Sequence, residues 1–122
     1  MFQGRPILIV EDDAIIALGL TDVIESHEGT VVGPVSTVRD ALRILDDHEV
    51  EAAILDVRLT DGEITPVALR LVDAGIPLVF HTGTGGPEAL AQSHPQLLVI
   101  MKPAPMEAVV RQLRIAIGGR SG

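Results

Sequence analysis

The chain has 122 residues, the length of one domain, and 47% of them are hydrophobic, which is enough to cover both faces of a small sheet. It contains no cysteine, which excludes disulfides and thiolate metal sites, and only 2% aromatic residues, which argues against a flavin or base-stacking site. The net charge of -8 disfavours non-specific binding to nucleic acid, which needs clustered Lys and Arg against the phosphates.

Short apolar runs alternate with amphipathic stretches along the chain, a pattern that predicts βαβ units and a parallel sheet. The expected strands lie at 6–10, 30–35, 52–56, 77–81 and 97–101. The expected helices lie at 13–27, after Ser36 or Thr37, from Pro66 to Gly75, at 87–93 and from Pro105 onward. A turn is expected at 60–62. Together they predict a single domain over 1–122, with a core of about 6–117 and a flexible tail at 118–122.

Polar side chains follow four of these apolar runs, at the point where each run ends. The residues concerned are Glu11, Asp12, Asp13, Asp56, Thr82 and Lys102. Because the carboxyl ends of parallel strands meet at one edge of an open α/β sheet, and such sheets build their sites there, we expect these side chains to converge.

The acidic residues of this set indicate a divalent cation. Carboxylates at adjacent strand ends repel one another unless a cation neutralises them or one of them is protonated. Mg²⁺ prefers a few carboxylates together with waters and phosphate oxygens. The alternative is that Glu11 to Asp13 only cap the first helix, where acidic residues favour the helix dipole. The polar residues at the other strand ends favour the metal site.

Asp56 is the candidate nucleophile. It lies between Leu55 and Val57, and a charge within an apolar run is costly unless it is paired or bound to a metal. A carboxylate beside Mg²⁺ can form an aspartyl-phosphate, while a hydroxyl and an ammonium group contact the phosphoryl oxygens. A plain Asx-turn is the alternative for Asp56. His81 precedes Thr82 on a strand, so we expect the two side chains to point apart.

The order of these motifs resembles the receiver domain of two-component response regulators, over about Pro6 to Ile117. The motifs are Glu11-Asp12, Leu55-Asp56, Thr82-Gly83 and Lys102-Pro103, on a five-fold βα pattern. The segment from Val79 to Gly85 is also similar to the Phe-x-Thr-Gly variant found in stand-alone receivers. The resemblance implies a doubly wound, flavodoxin-like (βα)5 fold, with a five-stranded parallel sheet in strand order 2-1-3-4-5.

The resemblance also implies a metal site. Asp12 and Asp56 would bind Mg²⁺ or Mn²⁺ directly, Glu11 would bind it through water, and the backbone carbonyl of Arg58 would be the remaining protein ligand. Asp13 is a rival for one of these positions, and the sequence leaves open which of the three N-terminal acids contacts the metal.

The same resemblance makes Asp56 the phosphoacceptor and assigns Thr82 and Lys102 to the phosphoryl group, with the Lys102–Pro103 bond in cis. Arg58 and Thr84 would tune dephosphorylation. Val99 stands where many receivers have an aromatic residue that moves with the threonine. Local ordering of 83–94 is therefore expected to serve as the switch.

The expected function is that of a phosphorelay signal receiver in the cytoplasm, which catalyses only its own phosphorylation and dephosphorylation. A sensor histidine kinase or histidine phosphotransfer protein would be the donor, and the 82–103 surface would bind an unknown downstream protein. Neither nucleic acid nor a membrane is expected as a partner, and the protein would be a monomer or a weak homodimer. The alternative is a Mg²⁺-dependent aspartyl-phosphate phosphohydrolase, although Arg58 stands where such enzymes need a second acid. Whether the chain is complete or part of a longer regulator stays open.

Overall fold

The computed structural model describes residues 2–119. The strands are β1 (Pro6–Val10), β2 (Thr30–Val35), β3 (Ala52–Leu55), β4 (Arg58–Leu59), β5 (Gly62–Glu63), β6 (Leu78–Thr82) and β7 (Leu98–Met101). The helices are α1 (Ala14–Ser26), α2 (Val38–Asp47), α3 (Thr65–Asp73), α4 (Glu88–Ala91) and α5 (Met106–Gly119).

Five of the strands form one parallel sheet in the order β2-β1-β3-β6-β7. This is the predicted order 2-1-3-4-5, because β4 and β5 pair only with each other in a short antiparallel hairpin. The central strands β1, β3 and β6 are almost wholly buried, which explains why each of them is a continuous apolar run. The parallel arrangement brings the carboxyl ends of all five strands to one edge.

Two apolar layers cover the sheet, one on each face. Alternate residues of one strand contact opposite layers, so Ile9 packs towards α1 and α5, whereas Val10 packs towards α2 and α3. The helices pack against these layers with their apolar faces, in which Leu20, Ala41 and Leu113 are buried. No helix of residues 2–119 is long and apolar enough to cross a bilayer.

The first and last helices pass close to each other at Gly19. A Cβ atom built on Gly19 would lie 3.4 Å from Cγ of Met106, which is an ordinary van der Waals contact. A glycine in the middle of a helix costs roughly 1 kcal/mol relative to alanine, and the packing against α5 does not require it here.

The expected turn is present, whereas two helices differ in extent from the sequence prediction. The turn expected at 60–62 belongs to the β4–β5 hairpin, in which Arg58 pairs with Glu63 and the paired strands are only two residues long. The fourth helix spans four residues rather than 87–93, because it starts after Pro87 without a side-chain cap. The last helix includes residues 118 and 119, which were predicted to lie in a tail, since two glycines weaken a helix without forbidding it. Residues 120–122 of that tail lie outside the described residues.

Candidate functional site

The sheet itself fixes the two central acids of the site. The backbone amide of Glu11 donates to the Val35 carbonyl at 2.9 Å, and that of Asp56 donates to the Val10 carbonyl at 2.8 Å. These bonds continue the ladder one residue beyond β1 and β3. The backbones of Glu11 and Asp56 are therefore as firmly held as the strands that precede them.

Three carboxylates converge at this edge. Glu11, Asp12 and Asp56 each offer an oxygen, and these oxygens lie within 4.8 Å of one another. The side chains of Glu11 and Asp56 are 2% and 8% exposed, whereas Asp12 faces solvent. Within residues 2–119 this is the one cluster of three or more acids, histidines or cysteines that could hold a metal. Its hard oxygen donors, partly buried and open on one side, fit Mg²⁺.

Lys102 lies between two of these acids. Its Nζ is 2.9 Å from Oε1 of Glu11 and 3.1 Å from Oδ2 of Asp56. Its backbone amide donates to the Thr82 carbonyl at 2.7 Å, and its bond to Pro103 is cis, as the resemblance implied. Burial alone would lower the pKa of Lys102, but the hydrogen bonds to Glu11 and Asp56 outweigh burial and raise that pKa above 10.5. Lys102 is therefore a fixed cation at neutral pH.

The surroundings of Glu11 disfavour its ionised form. Burial, above all, and the neighbouring Asp56 raise the pKa of Glu11, whereas hydrogen bonds from Lys102 and from the Asp13 amide lower it. The net result of these effects is a rise of that pKa from 4.5 to about 7. Without a metal, Glu11 is therefore only partly ionised near neutral pH.

The raised pKa of Glu11 predicts how stability depends on pH in metal-free buffer. The folded protein binds this proton more tightly than the unfolded chain, so the stabilising contribution is complete below about pH 4.5 and is lost as the pH rises through about 7. We expect the free energy of unfolding to fall by at most about 3.5 kcal/mol across this window, since one pKa unit is worth about 1.4 kcal/mol. Denaturant titrations with EDTA measure it. Glu11→Gln should flatten the profile, and an unchanged profile in that variant would contradict the assignment to Glu11.

Asp13 has a different role from its neighbours. Its Oδ1 accepts from the backbone amides of Ile15 at 2.9 Å and Ile16 at 3.1 Å, which makes it the N-cap of α1. The capping alternative therefore describes Asp13, while Glu11 and Asp12 belong to the acid cluster.

The structure places Thr82 at the end of β6, buried, one strand away from Asp56. Its Oγ1 accepts from the Thr84 amide at 3.1 Å and lies 3.3 Å from the Thr84 hydroxyl. The Thr82 hydroxyl thus bonds within its own loop rather than to the acids. Arg58 lies in β4 with its side chain exposed, and its carbonyl as a metal ligand stays a prediction.

His81 is 2% exposed, and neither ring nitrogen has a hydrogen-bond partner within residues 2–119. Burial, followed by the charge of Lys102, lowers the pKa of His81, so the imidazole is neutral. Val79 and Phe80 contact opposite core layers, which confirms side-chain alternation along β6. His81 is therefore a buried neighbour of the site rather than part of its hydrogen-bonded network.

Val99 borders an apolar cavity between α4 and β7. The cavity has a volume of about 240 Å³ and is lined by Phe80, Leu90, Leu97 and Val99, among others. Val99 is 42% exposed, and a Cβ atom on Gly86 would lie 2.9 Å from it. The cavity leaves space for rearrangement of the segment that follows Thr82.

Asp61 is a residue that the sequence analysis did not single out. Its Oδ1 accepts from the Val38 amide at 2.9 Å and its Oδ2 from the Arg39 amide at 3.0 Å, so it caps α2 from the tip of the β4–β5 hairpin. Its local sequence signals only a turn before Gly62. The partner amides are more than twenty residues away, so no periodicity could have identified them.

The sequence matches the response regulator receiver domain over residues 7–114. The solution structure of SdrG from Sphingomonas melonis Fr1 is similar, with 39% identity, a TM-score of 0.78, and coverage of 96% of this chain and 98% of that one. The BeF3-activated conformation of SdrG from Pseudomonas melonis Fr1 has 41% identity, a TM-score of 0.72, and coverage of 96% and 99%.

A more distant structure supports the fold alone. A CheY-like response regulator receiver domain protein from Methanospirillum hungatei JF-1 has a TM-score of 0.82 at 21% identity, with 97% of each chain covered. No curated protein matches the chain significantly.

Proposed function

Since the chain belongs to the response regulator receiver domain family, we propose that it is a phosphorelay signal receiver whose phosphoacceptor is Asp56. The donor would be a phosphohistidine on a sensor histidine kinase or a histidine phosphotransfer protein. An oxygen of Asp56 forms the new bond to phosphorus, and the bond from phosphorus to the donor imidazole breaks. The observation that carries this proposal is the Lys102 ammonium held between Glu11 and Asp56, with Asp12 in the same cluster.

The three carboxylates fit Mg²⁺ or Mn²⁺. Asp12 and Asp56 would bind the ion directly, Glu11 would bind it through water, and the Arg58 carbonyl would complete the protein ligands. When bound, the ion would neutralise negative charge on the phosphoryl oxygens.

The residues around Asp56 already orient it for this reaction. Its Oδ1 accepts from the Val57 amide at 2.8 Å, and its Oδ2 lies 3.1 Å from Lys102. An oriented nucleophile avoids much of the entropic cost of reaching the reactive geometry. Lys102 would then contact a phosphoryl oxygen as a permanent cation, because its raised pKa prevents loss of the proton at neutral pH.

Phosphorylation would change the 82–103 surface. A phosphoryl dianion on Asp56 would attract the Thr82 hydroxyl away from Thr84 and reorder residues 83–94. Three features support this switch: the glycines of the loop, the four-residue helix α4 and the cavity beside Val99. SdrG, which is 41% identical to this chain, has been solved in a BeF3-activated conformation. That conformation supports a similar change of structure here.

The reshaped surface would bind or release a downstream protein, and Arg58 and Thr84 would tune the lifetime of the phosphoryl group. The exposed Leu98 and Met101 of the edge strand β7 suit a protein partner. We propose a cytoplasmic receiver over the whole chain, as a monomer or a weak homodimer.

Incubation with acetyl phosphate and Mg²⁺ tests the proposal, with intact-protein mass spectrometry as the measurement. One phosphoryl group should be added per chain, and EDTA should prevent the addition. Absence of any addition over a range of Mg²⁺ concentrations would contradict the proposal. Steady turnover of phosphate esters would instead favour the phosphohydrolase alternative, which the solvent-exposed Arg58 side chain disfavours.

A further inference from the structure

Two segments that are separate in the chain border the acid cluster. One is the start of α2, since Ser36 and Asp40 line a groove of about 530 Å³ together with Glu11 and Asp12. The other is the β4–β5 hairpin, which begins two residues after Asp56 in the chain. Each segment therefore adjoins a different member of the acid cluster.

The hairpin and the proposed phosphoacceptor form one hydrogen-bonded unit. The Val57 amide donates to the Asp56 carboxylate at 2.8 Å, and the Val57 carbonyl accepts from the Ile64 amide at 2.8 Å, which closes the hairpin at its base. Leu59 is 8% exposed and packs into the core. The base of the hairpin is therefore fixed, whereas its tip at Asp61 is exposed and has no apolar packing of its own.

Asp61 joins this tip to α2. Its two oxygens accept from the amides of Val38 and Arg39 at 2.9 and 3.0 Å, and Thr37 Oγ1 accepts from the Asp40 amide at 3.1 Å. The hydrogen bonds from the Val38 and Arg39 amides are the main reason that the pKa of Asp61 lies below 3.8. The carboxylate is therefore ionised at neutral pH. α2 thus has two caps, one from its own N-cap residue and one from the tip of the hairpin.

We propose that Asp61 is a positioning residue that clasps the β4–β5 hairpin to the start of α2 and so sets the affinity of the acid cluster for Mg²⁺. The inference rests on the proposed function, because it concerns the same metal site. Without the clasp, the hairpin tip separates from α2. Arg58 then keeps the support of its buried neighbours Val57 and Leu59 but loses the support that α2 gives through the hairpin tip. The Arg58 carbonyl is the proposed metal ligand. Groups that orient metal ligands from outside contribute substantially to affinity.

A matched pair of variants tests the clasp. Asp61→Ala removes the cap that the hairpin supplies, whereas Thr37→Ala removes a cap from the same helix without touching the hairpin. Titration of MgCl₂ followed by ¹H–¹⁵N NMR gives the dissociation constant of each. We expect Asp61→Ala to weaken Mg²⁺ binding by about tenfold, the lower end of the effect of losing an outer support of a metal site. Thr37→Ala should bind Mg²⁺ like the wild type.

Two further variants separate geometry from charge. Asp61→Asn keeps one acceptor oxygen and should have an intermediate Mg²⁺ affinity, and it also serves if Asp61→Ala does not fold. Asp73→Asn removes one exposed charge at the end of α3 and should leave Mg²⁺ binding unchanged.

The outcomes are distinguishable. If Asp61→Ala binds Mg²⁺ as tightly as the wild type, or if Thr37→Ala loses as much affinity, the clasp is overturned while the proposed function stands. If the wild type itself shows no Mg²⁺-dependent shifts around the acid cluster, the metal site is overturned together with the clasp.

Discussion

The Asp56→Asn variant is expected to take up no phosphoryl group from acetyl phosphate under conditions that fully modify the wild type. An amide oxygen is a far weaker nucleophile than a carboxylate, so the variant lacks a competent acceptor. The amide oxygen of the variant can still accept hydrogen bonds from the Val57 amide or from Lys102. The fold should therefore be retained, and thermal unfolding measures that directly.

Asp12→Asn is the matched comparison for this variant. It removes a proposed metal ligand and keeps the acceptor, so phosphorylation should persist at a lower rate and require more Mg²⁺. Addition of a phosphoryl group to Asp56→Asn at the wild-type level would place the acceptor elsewhere. Removing the charge of Asp56 should also lower the pKa of Glu11, because Asp56 contributes to raising it.

Lys102→Met is expected to have the second large effect. Phosphorylation of Asp56 should slow by a factor on the order of 10²–10³, the usual loss when one group that stabilises developing charge is removed. Stability at about pH 8 should fall by about 2 kcal/mol, because breaking a buried ion pair leaves an uncompensated charge. The cost is below that of a fully buried pair, since Lys102 is 20% exposed and Glu11 can take up a proton.

The loss of stability in Lys102→Met should depend on pH and on Mg²⁺, because a missing positive charge causes it. Mg²⁺ or a lower pH supplies the missing positive charge, so either should restore most of the unfolding free energy that the variant loses. Denaturant titrations at two pH values, with and without MgCl₂, measure this recovery. A loss that is the same under all of these conditions would show that packing of the lysine stem, rather than its charge, accounts for the effect.

The layout of the sheet could be predicted from the sequence because its parallel strands are buried on both faces. Such strands are continuous apolar runs, and a charged or hydroxyl residue marks the end of each one at the edge of the sheet. Glu11, Asp56 and Lys102 stand out for this reason, and the structure brings their charged groups into contact. The cis peptide at Lys102–Pro103 was expected only from the family resemblance.

Features that depend on tertiary contacts could not be predicted in this way. Each strand of the β4–β5 hairpin has only two residues, which is too short to show an alternation of apolar and polar side chains. Asp13 resembles Glu11 and Asp12 in type and position, and only the helix geometry makes it a cap. The bonds of Asp61 with Val38 and Arg39 join segments that are distant in the chain and share no motif.

Lys102 is the sole lysine of the chain, and its raised pKa leaves almost none of it as the free amine at neutral pH. A protonated amine has no lone pair, so it cannot attack a carbonyl carbon. Small acyl phosphates carry two electrophilic centres, the phosphorus and the acyl carbon. The two acids that contact the ammonium group therefore keep it from attacking the acyl carbon of such reagents, and acylation of Lys102 should not compete with the proposed phosphorylation of Asp56.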